Sequence, residues 1–177
     1  MVNEVYRLMK SGVPKRILFL VDRRALAAQA VLAFASFEPE PGLKFDRIYE
    51  VYSQRFQPGD FDENEKFDPK VLPSPYLTNP NASHAFVYVC TIQRMTINLF
   101  GRDAIFAAGD EELDEEAEKL NIPIHAFDLV IADECHRGYG QPNPLVALAP
   151  FKVIRTFGMT LGCSVDVNAV RFDPAIC

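Results

Sequence analysis

The sequence predicts an α/β domain built on an open, mostly parallel sheet flanked by helices. Three observations carry that prediction. Nearly continuous apolar runs of strand length, RILFLVD and FDLVIAD among them, suit strands buried on both faces. Helical patterns lie between the strand candidates, as βαβ units require. Polar clusters follow three strand candidates directly: Asp22-Arg23-Arg24, Thr91-Ile92-Gln93-Arg94 and Asp133-Glu134-Cys135-His136-Arg137. In open α/β sheets, ligands bind beyond the carboxyl ends of the strands, so these clusters are the place to look for chemistry.

The chain opens with Val2, Val5, Tyr6 and Met9 at helical spacing, stopped by Ser11-Gly12 and Pro14. An apolar face running from the first residue with no N-cap signal fits equally a helix whose first turns are cut off and a frayed native terminus. Arg16 to Asp22 is the first strand candidate. In the helix that follows, RRALAAQAVLAF, the spacing puts Leu26, Ala30, Ala33, Phe34 and Phe37 on one stripe. A second strand is expected over Arg47 to Tyr52. The Pro-, Asp- and Asn-rich stretch from Gln57 to Ser83 is long for a connection and reads as a surface excursion or insertion.

Ala85 to Ile92 is the third strand candidate. The acidic run GDEELDEEAEKL, 109 to 120, reads first as the solvated face of a short helix and second as a disordered insertion. Pro123 to Phe127 turns into the fourth strand, which ends at Asp133. Lys152 to Thr160 is a last strand candidate, followed by a tail of weak period-2 character.

With 177 residues, 49% hydrophobic and 24% charged, the chain has the size and composition of one globular domain. No stretch approaches the roughly 18 apolar residues of a membrane span, and no signal peptide pattern opens the chain, so a cytoplasmic, membrane-free protein is expected. Cys90, Cys135, Cys163 and Cys177 contain no CxxC pair and read as reduced thiols rather than disulfides or a zinc site. The net charge of -6 argues against nucleic-acid binding by bulk charge and leaves a local basic groove open.

An acid placed directly after a buried strand, with a second acid beside it, is what phosphoryl chemistry needs. The first carboxylate can hold Mg²⁺ on nucleotide phosphates through water, and the second can orient and deprotonate the attacking water. Asp133 and Glu134 are placed for those roles. The bare pair alone suits a solvated loop equally well. His84 and His125 have no partner pattern and read as structural, and Cys135 reads as a small packing residue.

LVIADECHRGYG resembles the DEAD, DEAH or DECH box of superfamily 2 helicases and translocases, and in particular the motor (R) subunit of type I restriction enzymes. KRILFLVDRRALAAQA is similar to that family's strand-helix block after the nucleotide loop, and VYVCTIQRM to its T-x-Q-R block. Together the three blocks cover about residues 5 to 140 in the family's order. The resemblance implies an incomplete RecA-like motor domain over residues 1–160, with ATP and Mg²⁺ as cofactors in the intact family. It implies Asp133 and Glu134 as the Mg²⁺-holding and water-activating carboxylates, and His136 as the link between nucleotide state and the domain interface. Asp22, Arg23, Thr91, Gln93 and Arg94 would lie along a DNA track. In the intact system the partners would be DNA and the modification and specificity subunits.

The chain departs from that pattern at both ends. It contains no Gly-Lys-Thr or Gly-Lys-Ser, the loop that cradles nucleotide phosphates. The family places that loop, and the strand before it, just ahead of the opening helix. The first (P-loop) strand is therefore expected to be absent, leaving a gap or an exposed edge in the sheet. Toward the other end the family's T-A-T-P element is replaced by GMTLGC at Gly158 to Cys163, and residues 161–177 form a tail of unclear relation. The expectation is a fragment of an ATP-dependent DNA translocase that binds ATP weakly or not at all and lacks ATPase activity alone. The alternative is a non-catalytic remnant that binds nucleic acid or a partner protein. A metal-dependent hydrolase using Asp133, Glu134 and His136 fits least, because D-E-x-H does not set two ligands on one helical face.

Overall fold

The computed structural model describes residues 1–57, 59–61, 68–103, 117–133 and 153–156, the last four as backbone. The elements are α1 (Val2–Lys10), β1 (Arg16–Val21), α2 (Arg24–Ser36), α3 (Phe45–Ile48), β2 (Glu50–Ser53), α4 (Ser74–Thr78), β3 (Phe86–Thr91), α5 (Ile92–Phe100), β4 (Leu129–Asp133) and β5 (Val153–Thr156). The five strands form one sheet in the order β2-β3-β1-β4-β5, and every pairing is parallel. The predicted α/β class is the observed one.

The continuous apolar runs have a direct cause in this sheet. Side chains alternate faces along a strand, and both faces are covered. Ile17, Phe19 and Val21 join Val87, Val89, Leu129 and Ile131 on one face, beneath α1, α2 and α3 through Val5, Met9, Val31, Phe34 and Phe45. Leu18, Leu20, Tyr88, Cys90, Val130 and Ala132 face the other way, against Leu77 of α4, Met95 of α5 and Phe127. All six residues of β1 and all six of β3 are buried.

The expectations for the start of β2, the buried face of α2 and residues 117–120 are corrected. The second strand starts three residues later than predicted, because Phe45–Ile48 form a short helix whose Phe45 is fully buried against Phe34. The buried face of α2 is Ala27, Ala28, Val31 and Phe34, whereas Ala33 is exposed. With alanines on several sides, helical spacing left the core face underdetermined, and the ring of Phe34 over Phe19 decides it. A helix, α5, follows β3 without a connecting loop. The described strands pair without interruption, β1 along its length with β3 and along four residues with β4, and the sheet's edges are β2 and β5. Residues 117–120 carry no helix, and the rest of the acidic run and the tail from 157 lie outside the described residues.

Gly12 ends α1 with φ 75°, a conformation side chains disfavour, and its N–H closes the last turn on the Met9 carbonyl at 2.9 Å. Among the described residues no helix is long and apolar enough to cross a membrane.

Candidate functional site

Because every strand runs the same way, every strand's carboxyl end emerges at the same edge of the sheet. Val21 lies opposite Thr91, and Leu20 lies opposite Ala132. The residues that follow, Asp22 on β1, Ile92 on β3 and Asp133 on β4, therefore reach the edge within about one residue of each other. β3, β1 and β4 are neighbours, so the Thr91 and Asp133 backbones stand two strand spacings apart, roughly 10 Å. The fold gathers Asp22, Arg23, Thr91, Gln93, Arg94 and Asp133 at one edge. Glu134 and His136 lie outside the described residues.

Around β1 the edge is polar and ion-paired. Asp22 sits 3.7 Å from the Nε of Arg23, and Arg23 occupies the N-cap of α2 without a capping hydrogen bond from its side chain. Two arginines at a helix head oppose the helix dipole. For Arg24 the opposition is relieved by Asp60, whose Oδ2 accepts from Arg24 Nη2 at 2.9 Å and Nε at 3.2 Å. The same oxygen accepts the Gln57 N–H at 2.6 Å, and Arg24 Nη2 also donates to the Arg55 carbonyl at 3.3 Å.

The β3–α5 junction is built differently. Thr91 is the N-cap of α5, and its hydroxyl oxygen accepts the Arg94 N–H at 3.1 Å. That hydroxyl donates to Gln54 Oε1 at 3.1 Å, and the Thr91 N–H donates to the same oxygen at 2.8 Å. Thr91 and Gln54 are buried, at 3% and 1% exposure. The hydroxyl is thus committed to shaping the turn, and Gln93 and Arg94, both half-buried, form the first turn of α5 that faces the edge.

Gln54 and Asp60 escaped the sequence reading. The signal for Gln54 was present, a polar group directly after a strand, but placing that strand over Arg47 to Tyr52 hid it. Nothing local marks Asp60, which acts on a residue 36 positions away.

Asp133 lies half-buried at the end of a buried strand, with Thr156 of β5 opposite it in register. That position suits a carboxylate meant for Mg²⁺ on a nucleotide. The fit stops there. Among the described residues no group of three or more His, Cys, Asp or Glu could hold a metal ion, and the sequence has no Gly-rich loop with Lys-Thr or Lys-Ser for the phosphates. Among the described residues, Asp133 is the carboxylate at the end of β4.

A parallel sheet covered by helices, with polar strand-to-helix junctions collected at its carboxyl edge, defines an incomplete RecA-like α/β domain of the helicase-like class. The family model described as "Type III restriction enzyme, res subunit" matches residues 1–160, and the chain belongs to that family, a helicase-like domain of superfamily 2. The family is ATP-dependent, so its intact members use ATP and Mg²⁺. No curated protein and no solved structure matches the chain.

Proposed function

We propose that this chain carries part of the first motor domain of an ATP-dependent DNA translocase of the type I restriction class. It would track DNA along the carboxyl edge and would not turn over ATP by itself. The observation that carries the reading is the gathering of three polar junctions, from β1, β3 and β4, at one edge of a parallel sheet. The type I assignment within the wider helicase-like family rests on the resemblance of LVIADECHRGYG to the type I motor subunit.

Asp22, Arg23, Gln93 and Arg94 are the candidate contacts for the nucleic-acid backbone, with Thr91 acting through the turn it caps. Arginine, amide and helix-head N–H groups suit phosphate and position a strand without reading its sequence. Asp133 and Glu134 take the Mg²⁺ and water-activating roles, and His136 the coupling role. In the intact system the modification and specificity subunits are the partners, and DNA recognition belongs to them.

Without phosphate-loop amides and lysine, a water-bridged Mg²⁺ at Asp133 would have no nucleotide phosphate to bridge. The same deficit favours the second reading, a non-catalytic remnant that binds nucleic acid or a partner protein. Both readings are tested by assaying the purified 177-residue protein for Mg²⁺-dependent ATP hydrolysis with and without DNA, and for binding of labelled single- and double-stranded oligonucleotides. DNA binding without hydrolysis is expected. DNA-stimulated hydrolysis overturns the inactivity, and absence of DNA binding overturns the nucleic-acid track.

A further inference from the structure

We infer that Gln54 is a positioning residue for a nucleic-acid backbone bound at the head of α5, acting through Thr91. The inference rests on the nucleic-acid reading of the carboxyl edge given above and names a residue outside the blocks that suggested it.

Gln54 is the first residue after β2. Its N–H still reaches the Val89 carbonyl at 3.2 Å, and there the backbone ladder stops. Given the register that sets Ser53 opposite Val89, the next partner of the Thr91 N–H would be the Gln54 carbonyl if β2 ran one residue further. The side-chain Oε1 takes that place instead. It also accepts the hydrogen bond that the Thr91 hydroxyl donates. A hydroxyl has one hydrogen, so spending it on Gln54 turns the oxygen lone pairs toward α5, where the Arg94 N–H is accepted. One amide therefore fixes the Thr91 rotamer and, through it, the start of the helix that presents Gln93 and Arg94.

The same amide leaves a cost unrecovered. Its Nε2 is buried and has no hydrogen-bond partner among the described residues. An apolar side chain of similar length would avoid burying an unmatched donor. What only the amide supplies is the acceptor for Thr91. Further along the same segment, Asp60 and the Arg55 carbonyl hold Arg24 at the head of α2. The chain leaving β2 thus grips both strand-helix junctions assigned to the DNA track, and Gln54 is its buried grip on the second.

The test uses the full 177-residue protein with fluorescein-labelled single- and double-stranded oligonucleotides at low salt, read by anisotropy, with thermal unfolding as the fold control. Gln54→Met removes the acceptor at nearly constant volume, and an affinity loss of about tenfold is expected, as for a lost backbone-positioning contact. Thr91→Val should lose a similar factor, and the double variant should lose no more than either alone, because both changes release the same turn. A merely structural Gln54 lowers the melting temperature without that non-additivity, and additive losses or unchanged affinity overturn the inference. If Gln54→Met does not fold, Gln54→Ala carries the test, since the smaller side chain fits the same space and still removes the acceptor for Thr91. A fall of about tenfold is again expected, and wild-type affinity overturns the inference. A wild-type protein that binds neither oligonucleotide overturns the nucleic-acid reading and the inference with it, whereas wild-type binding with indifferent Gln54 variants overturns the inference alone.

Discussion

Arg16 and Asp128, 112 residues apart, close the amino ends of β1 and β4 on each other: Arg16 Nη2 meets Asp128 Oδ1 at 2.7 Å. The other carboxylate oxygen accepts the backbone N–H groups of Lys15 and Arg16 at 3.0 and 2.9 Å. Arg16 is 6% exposed, so its charge depends on that one carboxylate among the described residues. This is the structural end of the sheet, opposite the edge that carries the candidate site.

Asp128→Asn should therefore destabilise the fold by about 2–3 kcal/mol, below the full cost of breaking a buried pair because Asp128 keeps some contact with water. A urea unfolding midpoint at neutral pH checks it.

The pH dependence of that pair has a definite sign. Burial pushes the Asp128 carboxyl up, but hydrogen bonds from Arg16 and the Lys15 N–H hold it below its ordinary 3.8. A carboxyl depressed on folding contributes stability that is present above its unfolded value and lost as pH falls through its folded one. Acid unfolding curves of the wild type and Asp128→Asn should accordingly converge below about pH 4. Curves that stay parallel would show that the ion pair is not the source.

Glu50 and His84 form a second side-chain pair, with His84 in ring contact with Tyr76 and Phe86 at 4.7 and 5.0 Å. The hydrogen bond with His84 holds the Glu50 carboxyl below its ordinary 4.5 against the effect of burial. His84→Phe keeps an aromatic ring and removes the partner, so the Glu50 titration followed by NMR should move up toward 4.5. The stability lost at neutral pH should stay under about 1 kcal/mol, because Glu50 is largely in water.

Phe34→Ala should cost about 3–5 kcal/mol, since the ring is fully buried between Phe19 and Phe45. Its neighbour Ala33 is exposed, and Ala33→Gln should stay within about 0.5 kcal/mol. Thermal unfolding of both variants separates the observed core face of α2 from the one that helical spacing predicts.

Asp60→Asn should lower affinity for labelled DNA about two- to threefold, as a neutral amide holds the Arg24 guanidinium, and with it the head of α2, less firmly than a carboxylate. Stronger binding would mean that Asp60 competes with phosphate for Arg24 rather than shaping the edge.

The parallel sheet and the strands β1, β3 and β4 were legible because strands buried on both faces leave a signal that local context cannot erase. RILFLV and LVIAD are short, apolar at nearly every position and bounded by polar and turn-forming residues, as a strand buried on both faces requires. β2 was misplaced for the opposite reason. Glu50–Ser53 has only four residues, and the preceding Phe45–Ile48 owes its helical turn to Phe45 filling a space between α1, α2 and the sheet, a vacancy that no local pattern records. The core face of α2 was illegible because alanine is compatible with either side of a helix.

By itself, the sequence determined the class of fold, the three polar junctions and the family blocks that they belong to, because each is written in contiguous residues. It also determined that no Gly-Lys-Thr or Gly-Lys-Ser loop lies in these 177 residues. Only the tertiary structure decided that the junctions share one edge, since that follows from which strands pair and in what register. It alone set Gln54 against Thr91 and Asp60 against Arg24, contacts across 37 and 36 residues. A side-chain hydrogen bond at that separation depends on where the chain returns in space, and no local spacing encodes that position.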